Sequence, residues 1–176
     1  QKERATQLKV VALTSRANVD PKAADALNQL VDETLKNAKT TEELVKAYQL
    51  KLQVLDASED DPTAKINALA DEMLAREEED LQVFAVEVKA RSFLTATQAT
   101  GAVDASVFEF ADKIVADKKR ASAVVEKALE MKLVALVVAA ELEKEKGEKA
   151  DAKYAADAEK LFAQLLDGKY SAATKK

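Results

Sequence analysis

Cysteine and histidine are both absent from the 176 residues of this chain. Without them it has no disulfide, no thiol redox chemistry, and no thiolate or imidazole to hold a metal. It also has no histidine base for nucleophilic catalysis. Missing cysteine does not fix a compartment, because cytosolic and exported proteins can both lack it; cytoplasmic and periplasmic placement both stand. Glycine occurs three times and proline twice, so few turns are demanded and long helices are unobstructed. β-Branched and aromatic residues never fall into period-two runs, which argues against strands. A positive excess is missing too: 27 Lys and Arg against 32 Asp and Glu leave a net charge of −5. A nucleic-acid binder would show a basic excess on one face, and an anionic membrane surface asks for the same, so neither is expected as a partner.

What is present favours helices. Ala, Leu, Glu and Lys dominate, and all four are strong helix formers. Apolar residues at 48% and charged residues at 34% allow both a core and a solvated surface, and the length suits one domain. The chain opens on Gln1-Lys2-Glu3-Arg4 without an initiating Met and closes on the small, polar Ser171-Ala172-Ala173-Thr174-Lys175-Lys176. The expectation is a processed product or a piece of a longer protein.

One pattern recurs four times: apolar, Lys, three mixed residues, apolar. It appears as Leu8-Lys9-Val10-Val11-Ala12-Leu13, Leu50-Lys51-Leu52-Gln53-Val54-Leu55, Val88-Lys89-Ala90-Arg91-Ser92-Phe93 and Met131-Lys132-Leu133-Val134-Ala135-Leu136. Successive lysines stand about forty residues apart, a period that marks an array of supersecondary units. A second motif runs in phase with it. Leu30-Val31-Asp32-Glu33-Thr34-Leu35 is echoed by Leu69-Ala70-Asp71-Glu72-Met73-Leu74, by Phe110-Ala111-Asp112-Lys113-Ile114-Val115 and, loosely, by Leu161-Phe162-Ala163-Gln164-Leu165-Leu166. The last step is stretched by a charged insert, as a terminal repeat allows.

Taken in order, the first helix is predicted over Glu3 to Ala17, with Leu8, Val11, Ala12 and Ser15 on one face. Asp20 caps a second helix whose first position is Pro21 and which runs to about Asn37. Thr40 with Glu43 offers a capping box for a third helix carrying Leu44, Val45, Tyr48, Leu52 and Leu55. After Ser58-Glu59-Asp60-Asp61-Pro62, a fourth helix carries Ile66, Leu69, Ala70, Met73 and Leu74. The acidic run Glu77-Glu78-Glu79-Asp80 suits the first turn of a fifth helix reaching about Thr97. A turn at Thr100-Gly101-Ala102-Val103-Asp104 leads to a sixth helix with Val107, Phe110, Ala111, Ile114 and Val115. The seventh helix is predicted to start near Lys118. From Ala128 to Leu142 it is apolar almost all round, yet too short and interrupted to span a bilayer, which needs about 20 apolar residues. Such a helix is a core element wrapped by its neighbours or a surface covered by a second copy. The charged Glu143–Lys149 stretch with Gly147 ends it or extends it into solvent. An eighth helix carries Tyr154, Ala158, Leu161, Phe162, Leu165 and Leu166, with Gly168 as its stop.

The expected fold class is therefore all-α: four antiparallel helical hairpins, about eight helices, stacked as an α-α superhelix in a single domain. Its units fall near residues 1–39, 40–76, 77–117 and 118–170. Period and helix pairing together resemble degenerate tetratricopeptide-like repeats across the whole chain. The family's Gly in the first helix and Pro at the repeat end have no counterpart here, and the four lysines have none in the family. The hairpins are also similar, more weakly, to the helical domains that precede thioredoxin-like modules in some bacterial exported proteins.

Candidate binding residues follow from the repeat. If the helices stack in register, Lys9, Lys51, Lys89 and Lys132 form a line in a groove that could take an acidic peptide or partner surface. Alternatively each pairs with a carboxylate of a paired helix, with Asp32, Asp71 and Asp112 the obvious partners; such exposed pairs contribute about 0–1 kcal/mol each. Tyr48, Arg91 and Phe84 are candidate anchors, since Tyr and Arg are enriched at binding hot spots; at this helical spacing Phe84 and Tyr48 are more often core. Glu59-Asp60-Asp61 and Glu77-Glu78-Glu79-Asp80 lack the alternation and central Gly of a calcium loop. Nothing resembles a phosphate loop or a catalytic constellation, so no catalytic residue, cofactor or metal is expected. The role implied is a noncatalytic protein–protein interaction or scaffold domain. The alternative is an accessory or dimerisation domain of a larger enzyme such as a thioredoxin-like oxidoreductase. Its partner would be a protein or peptide, an adjacent domain, or a second copy in a homodimer. If the lysine line carries binding, replacing all four lysines by Gln abolishes partner capture; unchanged capture removes the line from consideration.

Overall fold

The computed structural model describes residues 2–17, 20–58, 62–145 and 152–167. Among them lie eight α-helices and no strand: α1 (Lys2–Ala17), α2 (Pro21–Asn37), α3 (Thr41–Ser58), α4 (Thr63–Leu74), α5 (Glu79–Thr100), α6 (Ser106–Ala116), α7 (Ser122–Glu145) and α8 (Ala152–Leu166). The protein is all-α, and its helices pack as hairpins. It divides into two compact units, Gln1–Leu69 and Ala70–Lys176, the cut passing through α4.

Local chemistry sets most helix ends. The Asp20 side chain accepts a hydrogen bond from the Lys22 N–H at 3.0 Å, and Pro21 occupies the first turn. A carboxylate there satisfies a backbone donor that no carbonyl can reach. The Glu43 N–H donates to Thr40 Oγ1 at 3.2 Å, while the Glu43 carboxylate accepts from the Lys39 N–H at 2.7 Å. This is a capping box closed one residue upstream of the cap. The fifth helix extends to Thr100 and stops at Gly101, whose φ of 65° is left-handed and whose N–H donates to the Thr97 carbonyl at 2.8 Å.

The seventh helix begins at Ser122, not near Lys118. Asp117 leaves the helical region. Its carboxylate accepts from the Lys119 N–H at 3.0 Å and pairs with Arg120 at 3.2 Å. An aspartate that bonds its own following backbone competes with helix formation and holds a turn. Arg120 also donates to the Leu74 carbonyl at 2.7 Å, filling one of the open acceptors at the end of α4. The Asn18-Val19 part of the first turn, the Glu59-Asp60-Asp61 run, the insert beyond Glu145 with Gly147, Gly168, and the polar end from Ser171 lie outside the described residues.

In the first unit, α1 packs on α2 and α3, and α2 packs on α3. The core gathers Val10, Leu27, Val31 and Val54, with Leu13, Ala17, Leu30, Leu35 and Leu50 against it. The face of α1 that faces solvent is the one carrying Leu8, Val11, Ala12 and Ser15; Leu8 is 64% and Val11 67% exposed. The physical reason is the unbroken run Val10-Val11-Ala12-Leu13, which supplies apolar side chains to both sides of the helix. Periodicity then does not choose a face, and contact with α2 and α3 does.

In the second unit, α7 packs against α5, α6 and α8. It buries Val124, Ala128, Leu129, Met131, Ala135, Leu136 and Ala139. Leu129 and Leu136 join Ala158 and Leu161 of α8 in one cluster. Tyr154 of α8 stacks on Phe108 of α6, ring centroids 6.0 Å apart. Much of the apolar Ala128–Leu142 stretch is covered by these three neighbours, while Val134 and Val137 stay exposed.

Gly101 supplies a clean stability test. A Cβ added there meets nothing within 4 Å, so Gly101→Ala should lose only the left-handed backbone penalty, about 1–2 kcal/mol. Gly101→Asn should lose less, because Asn tolerates that region. Guanidinium unfolding of the two variants reads the difference.

Candidate functional site

The repeat lysines occupy different surroundings. In the first unit Lys9 is exposed on α1 and Lys51 is half-buried on α3. In the second unit Lys89 of α5 is buried, with its ammonium 2.9 Å from the Asp71 carboxylate of α4 and 5.7 Å from the ring centroid of Phe110 on α6. Its stem lies along apolar surface while its head stays at the exposed carboxylate, as long cationic side chains do. Lys132 of α7 donates to the Asp112 carboxylate of α6. Asp32 is exposed on α2. Tyr48 is only 2% exposed, inside the first unit, so its ring is core surface. Phe84 is half-buried on α5, and Arg91 is exposed on the same helix.

Arg91 lies on the rim of a cleft that local sequence does not reveal. The cleft has a volume of about 330 Å³ and runs between α5 and α7, closed at one end by the start of α6. Its α5 wall is Ala90, Phe93, Leu94 and Thr97; its α7 wall is Met131, Val134, Ala135 and Val138; Val103 and Val107 close the end. The gap has a simple origin. Ala90 and Ala135 are small, so the facing helices leave volume between them that larger side chains at those places would fill. Leu94 and Val134 stand exposed at the lips, Val134 at 46%.

The charged residues lining the cleft are Glu87, Arg91, Asp104, Lys127 and Glu130, all but Lys127 exposed. Lys127 of α7 lies 2.8 Å from the Glu130 carboxylate and 3.4 Å from that of Glu87 on α5, tying the two helices together. The hydrogen bond to Glu130, reinforced by the negative charge of both carboxylates, holds the Lys127 ammonium above the ordinary lysine range against the opposing effect of burial. Arg91, by contrast, makes no hydrogen bond or ion pair among the described residues. It is the rim cation left available to a ligand. Among the described residues no group of three or more His, Cys, Asp or Glu side chains is placed to hold a metal ion, and no helix is long and apolar enough to cross a membrane.

Of the residues singled out from sequence, the structure brings Arg91 to this cleft. It places Lys89 and Lys132 in ion pairs and Tyr48 in a core. Sequence pattern does not single out Leu94, Val134, Thr97 or Val107 as binding residues. Their common property is facing one another across helices whose matching positions are about forty residues apart, and only the repeat itself hints at that pairing. No known protein-family model matches the chain, and no curated protein or solved structure does either.

The raised proton affinity of Lys127 has a definite sign. The folded chain holds this proton more tightly than the unfolded chain does. The resulting stabilisation is complete below the unfolded lysine value of about 10.4 and is lost as pH climbs through the higher folded value. Urea melts across that alkaline window should show a steeper stability loss in the wild type than in Glu130→Gln. Parallel curves would refute the coupling.

Proposed function

We propose that this chain is a noncatalytic interaction module of tetratricopeptide-like type, and that it holds a protein or peptide partner in the cleft between α5 and α7. The observation that carries this reading is the cleft itself: an apolar wall on each side, two apolar lips in contact with water, and charged residues that are exposed but for Lys127. A groove between helices that exposes apolar side chains suits the apolar face of an amphipathic segment, whose anchors recur every three or four residues. Water released from Leu94 and Val134 supplies the driving force. Specificity comes from the rim. The Lys127 ammonium is already shared between Glu87 and Glu130, so a partner carboxylate is directed to Arg91, whose planar guanidinium can bind it through two hydrogen bonds.

Such a partner segment is apolar along one side and carries an acidic residue beside its anchors. The size of the cleft sits at the lower end of the range for sites that bury a small ligand, which fits two or three inserted side chains better than a large cofactor.

A photocrosslinking side chain placed at Leu94 should form a discrete adduct in cells. The same group at Glu109, exposed on α6, should not. Val134→Asp, which puts a carboxylate on the opposite lip, should reduce the Leu94 adduct at least tenfold while leaving the helical circular dichroism unchanged. Arg91→Glu should reduce it as well. Equal adducts from positions 94 and 109 would overturn the assignment of the cleft.

A further inference from the structure

One deeply buried side chain on the cleft wall is polar and has no partner. Thr97 of α5 is 8% exposed; among the described residues only Lys89 is a polar side chain as deeply buried. Threonine hydroxyls elsewhere in these helices are satisfied within their own helix. Thr34 donates to the Leu30 carbonyl at 2.7 Å and Thr100 to the Ala96 carbonyl at 2.9 Å, the ordinary bond to the carbonyl four residues back. The Thr97 hydroxyl makes no hydrogen bond among the described residues, although the Thr97 backbone carbonyl accepts from the Gly101 N–H. Nor is that hydroxyl sealed away. The one side-chain polar atom both shut from solvent and unpartnered, among the described residues, is Asn67 Oδ1. Thr97 Oγ1 therefore meets open space, and the space that Thr97 lines is the cleft. A donor and an acceptor are held there uncommitted.

The surroundings of Thr97 select what can answer it. The fifth helix ends one turn later, at Thr100, so the negative end of its dipole lies close by. The Asp104 carboxylate, held by the Ser106 N–H at 2.9 Å, lines the same end of the cleft beside Val103. An anionic group is repelled there, and a full positive charge would have to shed its water against apolar walls. A neutral group that donates a hydrogen bond fits best. Its carrier must be apolar, because Phe93, Val103, Val107 and Val138 surround the position. An aromatic ring meets the Phe93 ring favourably and brings a large apolar area with it.

We infer that the partner inserts a tyrosine at the α6 end of the cleft, its ring against Phe93 and Val107 and its phenolic O–H donating to Thr97 Oγ1. The anchor rests on the α5–α7 cleft being where a partner binds, and it names the side chain that the cleft selects. Arg91 stands six residues before Thr97, about 9 Å along α5. The acidic residue taken by Arg91 and the tyrosine taken by Thr97 therefore fall about two turns apart on a partner helix lying along the cleft. A phenylalanine fills the same apolar space but leaves the Thr97 hydroxyl unanswered, and a site with a buried hydrogen-bonding group discriminates against a ligand that lacks its match.

The test uses side-chain analogues as probes, 4-methylphenol for tyrosine and toluene for phenylalanine. Each is titrated into the isotope-labelled whole chain, and the backbone amide NMR signals of Thr97, Val107 and Val138 are followed. 4-Methylphenol should shift these signals and bind roughly fivefold more tightly than toluene, the yield of one neutral hydrogen bond. A wholly apolar cleft would favour toluene instead, because burying an unanswered hydroxyl costs free energy. Thr97→Val, which keeps the size and branching of the side chain, should erase the preference. Thr97→Ser, which keeps the hydroxyl, should retain it; circular dichroism confirms that both variants fold, and the wild-type comparison stands without them. Toluene binding as tightly as 4-methylphenol, or a preference that survives in Thr97→Val, overturns the tyrosine anchor and leaves the cleft an apolar groove. Unshifted signals with both probes overturn the anchor too, and the Leu94 photoadduct then decides whether the cleft falls with it.

Discussion

Everything in the second unit follows from the need to cover α7. This helix of 24 residues presents apolar side chains in every direction between Ala128 and Leu142. Each large apolar side chain left in water forgoes about 1.5–3 kcal/mol. One neighbour can cover only one side of such a helix, so α5, α6 and α8 are all drawn onto it. Coverage by three rods around one is not seamless. Where α5 faces α7 through Ala90 and Ala135, the surfaces leave the cleft. The cleft is thus what an incomplete enclosure leaves behind, and it needs no flexible loop to form it.

Ion pairs add little energy to this arrangement but do define its register. Lys89 reaches Asp71, Lys132 reaches Asp112, and Lys127 reaches Glu87, each crossing from one helix to another. Most are partly exposed, where a single pair contributes about 0–1 kcal/mol. A helix slipped by one turn would keep most of its apolar burial, yet it would separate all three pairs. Burial decides that the helices meet; charge decides where along their lengths.

Features governed by nearby residues are legible in the sequence itself. Asp20-Pro21 and the Thr40–Glu43 box announce helix starts, because the cap and the N–H it serves are neighbours along the chain. Gly101 announces a stop for the same reason. Features governed by distant residues are not legible in this way. Asp117-Lys118-Lys119-Arg120 has acceptable helix propensity, and the turn there is completed by Arg120 bonding a carbonyl 46 residues earlier. The inward face of α1 is chosen by α2 and α3, since Val10-Val11-Ala12-Leu13 would serve either face. Tyr48 at helical spacing reads more often as core than as anchor, and its burial decides for core. The cleft is lined by two small residues, Ala90 and Ala135, on helices with α6 between them along the chain. Arg91 can be marked as a binding candidate from sequence, but not the cavity it borders.

The pairs Asp71–Lys89 and Asp112–Lys132 share one further property. Each joins the second helix of one hairpin to the first helix of the next, or its counterpart one step along, and the partners come from the two motifs that recur in phase along the chain. The chemistry of the junction is therefore carried in equal halves by the outgoing end of one unit and the incoming start of the following one. A gene segment encoding one whole hairpin brings both halves with it. Cut between matching positions, such a segment keeps the aspartate and the lysine of these two junctions together. A cut in any other phase strands one of them.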